Sequence, residues 1–178
     1  MPRKLLNSEL NRLTTDEFKQ SAKYPLVLVL DNIRSQHNIG AAFRTADAFR
    51  IEKIYLCGIC ATPPTADIHK SALGAENTVE WQYVNNTIDA IQSLKNERYN
   101  IVTIEQVENS MMLNDYLPDK NRKYALVFGN EIKGISQEVV DSSDYCIEIP
   151  QIGTKHSLNI SVSVGIVLWD FVQKIGIL

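Results

Sequence analysis

Three short polar motifs hold the residues of this chain best suited to chemistry: Asn38-Ile39-Gly40-Ala41-Ala42-Phe43-Arg44, Phe128-Gly129-Asn130-Glu131 and Ser157-Leu158-Asn159-Ile160-Ser161. Their working groups are amides, a carboxylate, a guanidinium and hydroxyls, a set that binds and orients a polar or anionic substrate. The first motif follows a strand and opens a helix, as a nucleotide-binding turn does. It lacks both the glycine pattern of a dinucleotide fingerprint and the lysine of a phosphate-cradling loop, so those readings fail. Asn38 is a good N-cap residue, and Arg44 lies six positions on, about one and two-thirds helical turns, so the two converge only if Asn38 caps the helix end. Taken alone, this motif needs no more than a plain cap and a solvated arginine. Gly129 permits close approach of a backbone or ligand after a buried strand, with Glu131 facing the cleft. Ser157 to Ser161 reads as the first turn of the last helix, whose free N–H groups favour anionic or polar ligand groups. Ser161 and Gly165 read as close helix packing.

Each motif follows an apolar run, which explains how the three are brought together. Leu26–Leu30, Ile54–Leu56, Val79–Val84, Ile101–Ile104, Ala125–Phe128 and Cys146–Ile149 read as six strands. Between them, Asn38 to Phe49, about Ala66 to Leu73, Thr87 to Lys95, and His156 to about Lys174 carry helical patterns. This alternation predicts an α/β fold: a mostly parallel six-stranded sheet with helices on both faces. Ligands of such sheets sit beyond the carboxyl ends of the strands, where the three motifs lie. Residues 5–20 read as an additional helix with Thr15-Asp16 interrupting it, so 1–24 is expected to be a helical extension and 25–178 the main domain.

The 178 residues, 44% hydrophobic and 22% charged, suit one globular domain. Net charge is −3, but the acidity concentrates in residues 76–119, where two Lys/Arg face eight Asp/Glu. The stretches bearing the motifs are neutral or mildly basic, compatible with a local phosphate-binding face. No apolar run of signal-peptide or membrane-span length is found, so a cytoplasmic location is the expectation. Three cysteines argue against a disulfide framework. Cys57-Gly58-Ile59-Cys60 has redox spacing, yet a loop, Ala61-Thr62-Pro63-Pro64, follows it instead of the helix that would stabilise a thiolate. By residue type, His37 and His156 are the natural general bases, whereas His69 reads as a loop or helix-surface residue.

With the three motifs in order, the chain from Pro25 to Leu178 resembles the SPOUT-class RNA ribose 2′-O-methyltransferases of the SpoU (TrmH-like) type. The resemblance rests on Asn38 to Ala48, on Leu126 to Glu131, and on Ile149-Pro150, Gly153 and Ser157 to Val162. It implies a C-terminal deep trefoil knot, a homodimer with a site shared between subunits, and S-adenosylmethionine (SAM) as cofactor without a metal. It implies Asn38, Arg44, Glu131, Ser157 and Asn159 as catalytic residues, and Thr103, Gly129, Ile149 and Leu158 around the cofactor. Lys155 and His156 either touch RNA or cap their loop.

Methyl transfer from a sulfonium to a ribose hydroxyl is an in-line displacement, so the enzyme must align the two and activate a poor nucleophile. The resemblance makes Arg44 the activator, yet a guanidinium is effectively always protonated. Either RNA and its neighbours alter that equilibrium, or Arg44 anchors phosphate and stabilises alkoxide charge while water takes the proton. No separate RNA-binding domain is legible, which favours tRNA over rRNA as substrate. The competing readings are an rRNA 2′-O-methyltransferase, a non-catalytic RNA-binding module, and a redox protein using Cys57 and Cys60.

Overall fold

The strand Tyr24–Asp31 (β1) shows how this sequence makes a sheet buried on both sides. Leu26, Leu28 and Leu30 enter one apolar cluster, while Val27 and Val29 enter another. All five are at most 2% exposed, and burying each contributes about 1.5–3 kcal/mol. Such a strand needs helices above and below it. The computed structural model describes residues 2–176; Met1, Ile177 and Leu178, at the ends of the expected 1–24 and 25–178 units, lie outside the described residues.

β1, Ile51–Cys57 (β2), Glu80–Val84 (β3), Tyr99–Ile104 (β4), Met111–Met112 (β5), Lys123–Phe128 (β6) and Tyr145–Glu148 (β7) form one sheet, ordered β3-β2-β1-β6-β4-β7-β5. All its ladders are parallel. The first cluster is closed by Thr15–Gln20 (α1), Gln36–Ala48 (α2), Ala66–Ala72 (α3) and Ile160–Lys174 (α6); the second by Thr87–Asn96 (α4) and Gln137–Asp141 (α5). The expected α/β class holds, with seven strands in place of six. The added β5 pairs Met111 with Ile147 and Met112 with Glu148, and two residues carry no readable alternation.

Other boundaries move for local reasons. The helix expected over 5–20 is two pieces, a 3-10 turn at Asn7–Glu9 and α1. Thr14 restarts the chain as a capping box: its hydroxyl accepts from Glu17 N, and its own N–H donates to Glu17 Oε2. α2 and α3 pack closely at Gly40, where a Cβ would lie 2.1 Å from Ser71 Oγ and 2.4 Å from the Ile68 carbonyl oxygen. Among the described residues no helix is long and apolar enough to cross a membrane.

Candidate active site

Adjacent parallel strands end together. Leu30 of β1 and Ile104 of β4 both pair with Phe128 of β6, and Ile104 also pairs with Ile147 of β7. The loops that follow these four strands therefore leave from one edge of the sheet.

Helix α2 starts earlier than Asn38, and this correction explains the site. Ser35 is the N-cap, its side chain accepting from Asn38 N at 3.2 Å. Asn38 thus lies in the first turn with its amide free. Asn38 Nδ2 donates to Glu131 Oε1 at 2.9 Å, and Asn38 Oδ1 accepts from Asn159 Nδ2 at 3.3 Å. Asn159 is in turn the N-cap of α6, its Oδ1 accepting from Ser161 N at 2.9 Å and Ser161 Oγ at 2.6 Å. The last helix begins at Ile160, not His156, so Ser157 stands in the approach loop rather than in the first turn. One directional chain of amides links the three motifs: Asn159 gives to Asn38, and Asn38 gives to Glu131.

Glu131 also borders a cavity of about 530 Å³. Gly129, Ile149, Ser157, Leu158 and His156 line it as well, so four of the expected residues besides Glu131 meet there. Two do not. Thr103 is fully buried, with its hydroxyl 2.5 Å from Ser143 Oγ; the lining begins one residue later, at Ile104 and Glu105. Arg44 is exposed and absent from the lining, and no described residue hydrogen-bonds or ion-pairs with its guanidinium. With Ser35 as the cap, Asn38 and Arg44 both lie within α2, six positions apart and on different faces. His37 is likewise exposed and outside the cavity.

Two residues missed from the sequence shape the cleft. Asn130 Nδ2 donates to the Asn32 carbonyl at 2.7 Å, while its Oδ1 accepts from Ile132 N and Lys133 N, tying the β1 loop to the β6 loop. Its position between Gly129 and Glu131, in an Asx-type turn, was the available signal. Glu105 accepts from Ile135 N and Gln106 N at 3.0 and 2.9 Å, closing the loop on the other side. Gly129 is required by its own protein neighbours: a Cβ there would lie 2.3 Å from Ile135 Cγ1 and 2.8 Å from the Gly134 and Ile135 backbone.

The model of the SpoU rRNA Methylase family matches residues 25–169, which include all three motifs. The chain belongs to the SpoU methylase family. Among relatives of this SpoU methylase, the 23S rRNA (guanosine-2′-O-)-methyltransferase RlmB of Neisseria meningitidis is 33% identical over 153 residues, 86% of this chain and 60% of that protein. The tRNA (guanosine(18)-2′-O)-methyltransferase of Aquifex aeolicus is 31% identical over 167 residues, 93% of this chain and 76% of that protein. The crystal structure of the A. aeolicus TrmH/SpoU tRNA modifying enzyme superposes with a TM-score of 0.79 at 28% identity, covering 90% of this chain and 80% of that one. That of an AdoMet-bound rRNA methyltransferase from Sinorhizobium meliloti gives 0.77 at 25% identity, covering 89% and 59%. The chain thus spans about three-fifths of the neisserial and rhizobial proteins.

The cavity of this SpoU methylase fits SAM by size and chemistry. About 530 Å³ is ordinary for a small-molecule site. Ile104, Ile135, Ile149 and Leu158 offer apolar walls for a flat purine, with Glu105, Glu131 and Ser157 as polar edges. Ile132 at 75% and Leu158 at 38% exposure leave apolar surface that a ligand would cover. The cysteine pair serves packing. Burial pushes the Cys57 thiol up to about 12 and the Cys60 thiol to about 11, suppressing the thiolate that redox exchange requires. Cys60 Sγ donates to the Leu30 carbonyl and accepts from Ile33 N, both at 3.2 Å. Among the described residues, no group of three or more His, Cys, Asp or Glu could hold a metal ion.

Proposed function

We propose that this SpoU methylase transfers a methyl group from SAM to a ribose 2′-OH of RNA, with tRNA favoured over rRNA, and that it acts as a homodimer. The observation that carries the reading is the amide chain from Asn159 through Asn38 to Glu131, set at the rim of a cavity suited to SAM. Gly129, Ile149 and Leu158, with Ile104 taking the place expected of Thr103, would hold the cofactor. Bound SAM supplies an electrophilic sulfonium methyl. The protein aligns the attacking oxygen: Asn38 fixes Glu131, Asn159 fixes Asn38, and Ser157 adds a hydroxyl to the cavity wall.

Arg44 binds an RNA phosphate and stabilises charge growing on the ribose oxygen. A guanidinium is a poor proton acceptor, so water takes the hydroxyl proton. An exposed arginine without a protein partner fits a residue that completes the partner subunit's cavity. Val162, Ile166 and Trp169, exposed at 49%, 38% and 53%, form an apolar stripe on α6 at i, i+4, i+7 spacing, which supports pairing of two copies beside the site. Residues 1–24 act as an arm covering RNA or the dimer. A C-terminal knot accords with the loops after β4, β6 and β7 surrounding one cavity before α6 returns to pack on α2.

The test is calorimetry with SAM, followed by incubation of labelled SAM with tRNA and rRNA separately and recovery of the nuclease-resistant 2′-O-methylated dinucleotide. SAM binding with label in that dinucleotide is expected. Absence of SAM binding overturns the reading, and label on a base instead of a ribose overturns the assignment of the acceptor.

A further inference from the structure

A second cavity, of about 610 Å³, is bordered by Pro63, Pro64, His69, Glu76, Asn77 and Trp81. None of these residues serves the site described above. Ser71 meets α2 at Gly40, and His69, two positions earlier, lies about 200° away around α3. The cavity therefore occupies the flank of α3 turned away from α2. Trp81 forms its wall from β3, an edge strand, with one side of the indole packed on the core.

Its polar end is built around a buried carboxylate. Glu76 is 9% exposed, and its Oε1 lies 2.5 Å from Nδ1 of His69. Its other oxygen is buried without a hydrogen-bond partner among the described residues. Burial pushes the Glu76 carboxyl up, but the His69 contact and nearby backbone amides outweigh it and hold the group below its ordinary value. A carboxylate held this way fixes the imidazole's orientation and leaves Nε2 of a largely exposed ring for another partner. The exposed Asn77 amide adds a donor and an acceptor beside it.

An indole and two proline rings form flat apolar walls, while an oriented imidazole and an amide form a hydrogen-bonding edge. The cavity carries a carboxylate and no lysine or arginine, so phosphate is the wrong ligand for it. We propose that this cavity receives an unstacked nucleobase of the substrate RNA, stacked against Trp81 and read at its edge by His69 and Asn77. The proposal rests on the RNA-methyltransferase reading and adds to it a contact that selects the RNA. The Ile68 carbonyl packs at Gly40, two residues from Asn38, so only the breadth of α3, about 10 Å, separates this cavity from the first motif. Asn38, two positions from Gly40, faces away from α3 toward Glu131, so a base bound here comes from a part of the same RNA lying across α2 and α3 from the reacting ribose.

The test titrates the full chain with tRNA, rRNA and the octamers A8, C8 and U8 while tryptophan emission is recorded for wild type and Trp81→Phe. Expected is a saturable quench in wild type that Trp81→Phe loses. Asn77→Ala and His69→Ala should weaken RNA binding and raise KM about tenfold, the scale of one base contact, with SAM affinity unchanged by calorimetry. Asn77 is exposed and carries the test even if loss of the Glu76 partner unfolds the His69 variant. RNA that is bound and methylated with Trp81 silent and Asn77→Ala indistinguishable from wild type overturns this proposal alone. Failure of the wild-type protein to bind or methylate any RNA overturns the methyltransferase reading, and this proposal with it.

Discussion

Asn159→Asp separates the two tasks of one side chain. In the wild type, Oδ1 caps α6 by accepting from Ser161 N and Oγ, while Nδ2 donates to Asn38 Oδ1. Aspartate keeps the capping acceptor and adds a favourable charge at a helix N-terminus, but it sets a second acceptor 3.3 Å from Asn38 Oδ1. Asn38 can relieve that repulsion only by flipping its amide, which turns its oxygen toward Glu131. Either orientation leaves one contact of the chain repulsive. With RNA over the site and water displaced, the lost bond to a charged group is worth about 1.5–3 kcal/mol, or about ten- to hundredfold in kcat/KM. Asn159→Ala, by contrast, loses cap and chain together, at about 1 kcal/mol of stability, a fall of about 2–4 °C in Tm for a chain of this size. The measurements are SAM-dependent label incorporation into RNA and thermal unfolding of both variants. Wild-type turnover in Asn159→Asp, or a Tm loss in it equal to that of Asn159→Ala, refutes the division of labour.

Arg44→Lys is expected to bind SAM normally in calorimetry and lose most turnover, because an ammonium keeps the charge without the bidentate fork; a fully active lysine variant ends the guanidinium-specific role. Gly129→Ala should destabilise by about 1–3 kcal/mol in urea unfolding, since its Cβ would overlap Ile135 and the Gly134 backbone; unchanged stability would mean the loop yields freely. At pH 8, where thiols with values near 12 and 11 stay protonated, a thiol reagent should modify Cys57 and Cys60 only after unfolding. Rapid native labelling of either, located by mass spectrometry, contradicts their burial.

The strands and both sheet faces were legible because a parallel sheet writes its burial as unbroken apolar runs such as Leu26–Leu30. The candidate site residues stand out in the sequence as motifs, but their contacts do not. Glu131 and Asn159 meet Asn38 across 93 and 121 residues of chain, and no local periodicity encodes such a meeting. Ser35 and Asn38 are both good caps within one polar loop, so type alone could not decide which begins the helix. The family resemblance puts Thr103 at the cofactor, but pleating turns its side chain inward to Ser143 and leaves Ile104 at the cavity. No sequence pattern marks the partner of Asn130, because the Asn32 carbonyl is a backbone group 98 positions away.

Helix α6 leaves the ribosome after every strand of the sheet, yet it carries the first link of the amide chain. A nascent chain that already holds β1, α2 and β6 can close most of the sheet while Glu131 remains unoriented. Domains fold as units during synthesis, and here the amide chain is completed only when α6 docks. A growing polypeptide is thus folded in outline before its candidate site is assembled.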